Sequence, residues 1–458
     1  MVVQGWTVLL GVVLIPARAF WDLELYRFWM EQGFQLGVWQ GIDVPWVYPP
    51  GALLPMLVAA AGGSTDGSGF AVAWSVGVIV LDAIALFALL HTSAWAGRRT
   101  SRHSTTDGAW WWVGFLALLG PVGMGRLDAV VAPVVVVALV LGLRHPWLSS
   151  ALLTVAAWTK VAPGALLAPL FLAARRPWRD VVAPAVAVSL AVMALVTALG
   201  GLPHIASFLT EQDRRGLQVE AVGATPWLVA SQWSGAVAIT FNDTLVTYEL
   251  VGPGTQAAAD AIGGLFFFAL AAAVGFLWWR RHRLGARLWR RPRVGAELLV
   301  RGALLVTVVL IVFNKVGSPQ YIGWLAPPVA VALALRLPRW RTPAVLVAVI
   351  AGLTQVLFPW GYDGMLLGHP LNTLVLVARN VLLVVLLVQT TRALLGQPSA
   401  EAAGDDDDAG SDDAGSDDAA ATNASSAARD VPSSIAASGK DSSSDQALDA
   451  SSGPASAR

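Results

Sequence analysis

Long apolar runs recur along almost the whole chain, and they constrain its fold more than any other sequence feature. Many are about 17–23 residues long, and a helix of about 20 residues crosses a bilayer core of about 30 Å. Charged residues make up only 13% of the 458 residues, against about 25% in soluble domains. The alternating segments of about ten residues that are typical of membrane β-barrels are absent from the sequence. We therefore predict an all-α polytopic membrane protein.

We expect about twelve transmembrane helices, near residues 3–20, 70–92, 109–121, 127–143, 147–159, 162–174, 181–200, 257–279, 296–313, 321–335, 342–358 and 371–391. The region 147–174 is broken by Lys160 and Pro163, which also allows a pair of tilted or half-length helices. The proline-containing stretches 48–61 and 225–236 predict short re-entrant or interfacial helices, which membrane proteins tolerate where they line a cavity.

Acidic and basic residues are unevenly distributed. Residues 397–458 contain 13 of the 30 acidic residues and three of the 30 basic ones, which leaves 27 basic and 17 acidic residues in 1–396. The segment 397–458 is rich in Asp, Ser, Ala and Gly and cannot bury apolar surface. We predict a membrane domain over 1–396, followed by an acidic, disordered cytoplasmic tail.

Arginine clusters predict the orientation of the chain in the cell membrane. They lie at 98–102, 175–179, 280–293 and 336–341, and connections rich in arginine face the cytoplasm. The twelve helices then place both termini in the cytoplasm. Four polar connections, at 21–47, 201–224, 314–320 and 359–370, fall on the external face, where we expect the function.

Several classes of function are disfavoured by the sequence. The chain has no cysteine, which excludes thiol catalysis and thiolate metal sites. The six histidines show no metal-ligand spacing, and no glycine-rich nucleotide loop is present. Because topology explains the basic connections, we expect no nucleic-acid partner.

A pair of carboxylates, Asp22 and Glu24, follows the first apolar run among aromatic residues. Residues two apart do not share a helical face, so we expect only one of them to enter a cavity. The alternative is a helix end with two solvated acids. An amphipathic stretch beside a carboxylate suits a lipid-linked substrate.

Other ionisable residues within apolar segments are costly and are candidates for function. The chain has only three lysines, and Lys160 and Lys315 lie in or beside apolar segments as either functional cations or boundary charges. Arg126 and Asp128 start a helix and form either a functional group or a local ion pair. Asp82 and Arg379 are further candidates, with pairing to other helices as the alternative.

The second polar connection carries His204 and Arg215. Arginines there depart from the cytoplasmic bias, and they can bind a phosphate through bidentate hydrogen bonds. The alternative is pairing with Asp213 and Glu220.

Taken together, these residues resemble glycosyltransferase family 87. The resemblance runs in order over about residues 20–325 and comprises an Asp at the end of the first helix, Tyr48-Pro49-Pro50, Gly125-Arg126-Leu127-Asp128, Lys160 with Pro163, Arg215 to Glu220, and Lys315 to Tyr321 followed by Trp324. Ala221 stands where the family commonly has Ser.

The resemblance implies a GT-C-type fold and an inverting transfer of mannose or another sugar from a polyprenyl-phosphate donor to a glycolipid or glycan acceptor. It implies Asp22 as the general base. Cations would hold the donor phosphate, namely Lys160, Arg215, Lys315 and Arg126. The remaining substrate-binding candidates are Glu24, Tyr48, Asp128, His204, Gln218, Glu220, Ser318, Gln320 and Tyr321. This scheme needs no metal or other cofactor.

Two other classes of protein remain open at this point. Twelve helices are also typical of a transporter or flippase, but the expected repeats are not recognisable. A non-catalytic membrane scaffold would leave Asp22, Lys160 and Lys315 unexplained.

Overall fold

The computed structural model describes residues 2–62, 67–100, 106–243 and 245–396. Helices dominate the described chain, and six of them are long and apolar enough to cross a membrane. This confirms an all-α polytopic membrane protein. Shorter apolar helices accompany these six, and the number of twelve crossings stays a prediction. The tail predicted at 397–458 lies outside the described residues.

The first part of the described chain forms α1 (Val2–Leu9), α2 (Pro16–Ala19), α3 (Trp21–Leu36), α4 (Leu53–Gly62), α5 (Gly67–Thr100), α6 (Asp107–Leu119), α7 (Leu127–Gly142) and α8 (Pro146–Thr159). The helix predicted at 3–20 is interrupted at Ile15, which has non-helical φ and ψ angles of −142° and 52°, because a residue before proline avoids the helical conformation. The polar connection predicted at 21–47 begins with helix α3, which was not foreseen.

The middle of the chain forms α9 (Leu167–Ala173), α10 (Ala183–Ala198), α11 (Ser207–Asp213), α12 (Thr225–Ala230), β1 (Ala238–Asn242) and β2 (Thr247–Val251). The break predicted around Lys160 is present, since α8 ends at Thr159 and a 3-10 turn precedes α9. The antiparallel hairpin of β1 and β2 was not predicted. Leu217 and Val219 extend it, through bonds from Leu250 N to Leu217 O (2.9 Å) and from Val219 N to Tyr248 O (3.2 Å).

The last part forms α13 (Thr255–Leu284), α14 (Arg287–Arg290), α15 (Pro292–Val312), α16 (Ala326–Ala334), α17 (Arg341–Gln355), α18 (Tyr362–Leu366) and α19 (Pro370–Leu395). Helix α15 lies at the centre of the bundle. In its most apolar stretch 83% of the residues are buried, against 39% or less in the other five long helices. Those five helices therefore present apolar side chains to lipid.

Several buried polar groups pair with one another, as expected where little water is available. The Gln4 side chain of α1 donates to Asp82 of α5, so Asp82 pairs with another helix. In α15, Arg301 Nε donates to Glu297 Oε1 at 2.6 Å, and Trp340 Nε1 donates to the other oxygen of Glu297 at 3.1 Å. The Arg301 guanidinium also lies 4.4 Å from the centroid of the Trp340 ring.

The Arg301–Glu297 pair is predicted to stabilise the bundle only while both partners are present. Glu297→Gln leaves the Arg301 charge unpaired in the core, which should lower the free energy of unfolding by about 3 kcal/mol. Thermal melting of the detergent-solubilised protein measures this loss. The double variant Glu297→Gln/Arg301→Met should recover part of the lost stability. If Glu297→Gln alone melted like the wild type, the pair would not stabilise the bundle.

Candidate active site

Two ion pairs, one buried and one partly buried, converge on the start of helix α7. Arg126 precedes the helix with extended backbone (φ −136°, ψ 156°), and Asp128 lies in its first turn. These two side chains diverge, and each pairs with a residue distant in sequence. The local Arg126–Asp128 pair considered above is therefore wrong.

The first pair joins α3 to α7. Asp22 is only 6% exposed and accepts a hydrogen bond from Arg126 Nη1. The Arg126 guanidinium lies 5.0 Å from the centroid of the Phe358 ring, and its Nε has no hydrogen-bond partner in the described chain. Asp22 is therefore a buried, paired carboxylate, and the alternative of two solvated acids is wrong.

Glu24 lies away from this pair. Its side chain is 52% exposed and forms an ion pair with Arg27 at 3.1 Å. Only one of the two carboxylates thus enters the interior, because residues two apart on α3 point in different directions. The structure does not bring Glu24 to the predicted substrate-binding cluster.

The second pair joins the end of α8 to α7. Lys160 Nζ lies 3.2 Å from Asp128 Oδ2, and the other oxygen of Asp128 accepts a bond from Trp324 Nε1 at 2.6 Å. Aromatic rings surround the ammonium group, with centroids at 4.9 Å for Tyr48 and 5.7 Å for Tyr321. Lys160 is thus fixed by one charge and by the faces of two rings.

Tyr26 connects the two pairs, and sequence reasoning did not assign it a role. It follows Asp22 by one helical turn, and its hydroxyl accepts a bond from Leu127 N at 3.3 Å. Its ring contacts those of Tyr48 and Trp74, with centroids 6.4 and 5.3 Å away. Burial raises the pKa of the Tyr26 hydroxyl well above its usual range, so this group stays neutral. Its i,i+4 spacing from Asp22 was the available signal.

The connection before α12 packs backbone to backbone against the segment after α15. Gln218 N donates to Lys315 O at 3.1 Å, and Gly317 N donates to Gln218 Oε1 at 3.1 Å. A Cβ atom on Gly317 would lie 2.1 Å from Ala221 N, so the contact requires glycine. This packing brings together two predicted site segments. The side-chain nitrogen of Gln218, Nε2, is buried without a partner in the described chain.

Arg379 of α19 anchors the same connection. Its Nη1 lies 2.7 Å from Glu220 Oε2, and its Nη2 donates to the Glu220 carbonyl at 2.9 Å. Arg379 therefore pairs with a connecting segment, whereas pairing between helices was the alternative considered for it. Among the described residues the ion pair of Glu220 is with Arg379, and none joins Glu220 to Arg215.

Arg215 lies close enough to Tyr321 to act on its hydroxyl. Burial raises the pKa of the Tyr321 hydroxyl, and the charges of Lys160 and Arg215 lower it. Arg215 is half-buried, and its Nε has no hydrogen-bond partner in the described part of the chain. The neighbouring Arg214 points outward, with a side chain that is 70% exposed and lies 3.3 Å from Glu211. The side chain of Asp213, the other predicted partner, lies outside the described residues.

The remaining predicted residues divide into two groups. Ser318 Oγ donates to Gln320 Oε1 at 2.6 Å, which holds both beside Tyr321 and therefore near Lys160. His204 lies in a 3-10 turn, and no hydrogen bond or ion pair within the described ranges joins it to the cluster. The structure thus brings Ser318, Gln320 and Tyr321 to the site and leaves His204 apart.

Phe358 and Tyr362 add two aromatic rings to the site, and the sequence analysis did not assign them a role. Their ring centroids are 5.7 Å apart, and Tyr362 also contacts Tyr248 of the hairpin at 6.0 Å. The only signal in the sequence was their position, since Phe358 precedes the polar connection predicted at 359–370 and Tyr362 lies within it. Two carboxylates, several cations and a set of aromatic faces therefore meet in one place, a combination that can hold an anionic group and stack on a sugar ring.

The contact at Gly317 yields a test of this geometry. Gly317→Ala should lower the free energy of unfolding by about 1–3 kcal/mol, because a methyl group there overlaps the backbone at Ala221. Gly264→Ala is the matched control, since a Cβ atom there has no atom within 4 Å. Thermal melting that shows equal stability for both variants would contradict the close backbone contact.

Comparison with known proteins identifies the family of the chain. The sequence model of glycosyltransferase family 87 matches residues 46–307, more than half of the chain. The match includes Arg126, Asp128 and Lys160, whereas Asp22 and the segment 315–324 lie outside it and reach the matched residues through the contacts above. No curated protein and no solved structure matches the chain. The chain belongs to glycosyltransferase family 87 and is a membrane glycosyltransferase.

Proposed function

We propose that this protein transfers a hexose, with mannose the first choice, from a polyprenyl-phosphate donor to a glycolipid or glycan acceptor, with inversion at the anomeric carbon. The observation that carries the proposal is the convergence of the Asp22–Arg126 and Asp128–Lys160 pairs at the start of α7. One carboxylate can accept the proton of the acceptor hydroxyl, and the cations can stabilise the charge of a phosphate leaving group.

Asp22 is the general base in this proposal. Asp128 has both oxygens engaged, by Lys160 and by Trp324, whereas Arg126 engages one oxygen of Asp22. As the acceptor oxygen bonds to the anomeric carbon, its proton passes to Asp22. The bond from that carbon to the phosphate oxygen breaks, and the prenyl phosphate leaves with the electron pair. A positioned base of this kind contributes about 10²–10⁴-fold to the rate.

The donor phosphate would lie among Lys160, Arg215, Lys315 and Arg126. The buried Nε atoms of Arg126 and Arg215 have no partner among the described residues, and a buried donor without a partner costs about 1–3 kcal/mol. Phosphate oxygens would satisfy both donors. These cations would also stabilise the charge that develops on the leaving group.

Polar side chains near the ion pairs suit the sugar hydroxyls. Gln218 has a buried amide nitrogen without a partner in the described chain, and Gln320 lies beside Tyr321. Glu220, anchored by Arg379, and Ser318 are further candidates. Tyr48 and Tyr321 offer ring faces on which the sugar can stack.

The arginine-rich connections support an orientation with this site on the external side. Helix α7 leads away from the site, α8 returns to Lys160, and α9 leads away again to the arginines at 175–179. These arginines therefore lie at the opposite end of the helices, which the positive-inside rule places in the cytoplasm.

Asp22→Asn tests the base. The variant should fold with lowered stability, because Arg126 loses its charged partner. It should lose about 10³-fold in transfer from polyprenyl-phosphate-mannose, because the amide cannot accept the proton. Glu24→Gln is the matched control on the same helix turn and should retain activity. Purified protein in lipid vesicles, with radiolabelled donor, measures the rate. Near-normal turnover of a folded Asp22→Asn variant would remove Asp22 as the base.

Arg215→Gln tests the phosphate site. Loss of a hydrogen bond to a charged group should raise KM for the donor about tenfold, with a smaller effect on KM for the acceptor. Arg214→Gln, one residue earlier and solvent-exposed, should leave both values unchanged. Equal KM changes in the two variants would show that Arg215 does not bind the donor, and equal rates with a soluble nucleotide sugar would exclude a lipid donor.

A further inference from the structure

An apolar cleft of about 380 Å³ lies between α9, α10 and α13, outside the candidate active site. Its walls carry only apolar side chains, among them Leu167, Phe171, Ala185 and Trp278. Trp278 is 49% exposed on the protein surface, so the cleft opens sideways towards lipid. The side chains that line a gap of this size lose van der Waals contacts unless an apolar group fills it.

Two arginines lie at the end of this cleft. Arg281 Nη1 donates to the carbonyl oxygen of Phe171 at 3.1 Å, and Phe171 lines the cleft. Arg175 Nη2 donates to the carbonyl oxygen of Trp289 at 2.9 Å. Both guanidinium groups lie over the Trp289 ring, at 6.0 Å for Arg175 and 5.5 Å for Arg281. The fold therefore gathers two positive charges around one ring.

Carboxylates do not balance these two charges. No ion pair among the described residues involves Arg175 or Arg281, and the acid of the same connection, Asp180, lies 3.9 Å from Arg179. Both guanidinium groups lie within 6.0 Å of the Trp289 ring centroid, so an anion that contacts both would be stabilised by charge-assisted hydrogen bonds. Trp178 beside them is 72% exposed and contacts the Phe171 ring at 5.5 Å, which is typical of an aromatic residue at the headgroup level.

We propose that this cleft binds an anionic glycerophospholipid, with one acyl chain between α9, α10 and α13 and the phosphate on Arg175 and Arg281. Basic pockets between helices on the cytoplasmic side bind anionic headgroups. The cleft follows α9 from Leu167 to Leu172, a rise of about 8 Å, which accommodates part of one chain.

The end of the cleft at which the two arginines lie favours this lipid over the prenyl chain of the donor. The cations lie at the end of α9 that is remote from Lys160, whereas the donor phosphate is proposed beside Lys160. A lipid with its anionic group at Arg175 therefore extends its chain towards the membrane centre from the opposite leaflet. This site is independent of the proposed transfer reaction.

Binding of lipids to the purified, delipidated full-length protein tests the proposal. Native mass spectrometry should show tighter binding of phosphatidylglycerol than of phosphatidylcholine with the same acyl chains. Arg175→Gln and Arg281→Gln should each weaken phosphatidylglycerol binding about fivefold. Arg341→Gln, at the exposed first residue of α17, is the matched control and should bind like the wild type.

A second variant separates the cleft from the charges. Ala185→Trp should fill the cleft and weaken the binding of both lipids, and it remains informative if the arginine variants do not fold. Equal affinity for the two lipids, or phosphatidylglycerol binding that survives every variant, would overturn the proposal. If the variants weakened the binding of polyprenyl phosphate and left phosphatidylglycerol binding unchanged, the cleft would belong to the donor chain. That result would also overturn the proposal.

Discussion

The buried pair between Asp22 and Arg126 is the interaction on which the site depends. A carboxylate that is 6% exposed is tolerated only with a partner, because removing one member of such a pair leaves an uncompensated charge. The pair fixes α3 against the start of α7, and the Asp128–Lys160 pair fixes the end of α8 against the same turn. The start of α7 is thus the common support of the elements that carry Asp22 and Lys160.

The same pairing gives the proposed reaction a physical order. Arg126 orients Asp22 through its Nη1, while its own Nε lacks a partner in the described chain. A donor phosphate would compete with Asp22 for the guanidinium and leave the carboxylate free to accept a proton. Burial strengthens these interactions, since the effective dielectric constant is lower than in water. When the phosphate replaces Asp22 as the partner of Arg126, the donor would bind and the base would become available in the same step.

The length of the apolar runs was enough to predict the membrane class, and Lys160 with Pro163 marked the break between α8 and α9. The partners of the charged residues were not predictable, because they lie 104 residues apart for Asp22 and Arg126 and 32 for Asp128 and Lys160. Spacing along one helix carries no information about such contacts. The hairpin of β1 and β2 escaped prediction because five-residue strands resemble polar connections, and α3 did so because its charges obscured its helical character.

Family membership supports glycosyl transfer over the transporter that the helix number also allowed. Asp22 and Trp324 lie outside the matched residues 46–307 and contact Arg126 and Asp128 within them. The most direct test is an experimental structure of the protein bound to a non-hydrolysable polyprenyl-phosphate-sugar analogue. The account predicts phosphate density within hydrogen-bond distance of Lys160 and Arg215, with the anomeric carbon on the side of Asp22. Phosphate density elsewhere, with both ion pairs intact and the sugar remote from Asp22, would contradict it.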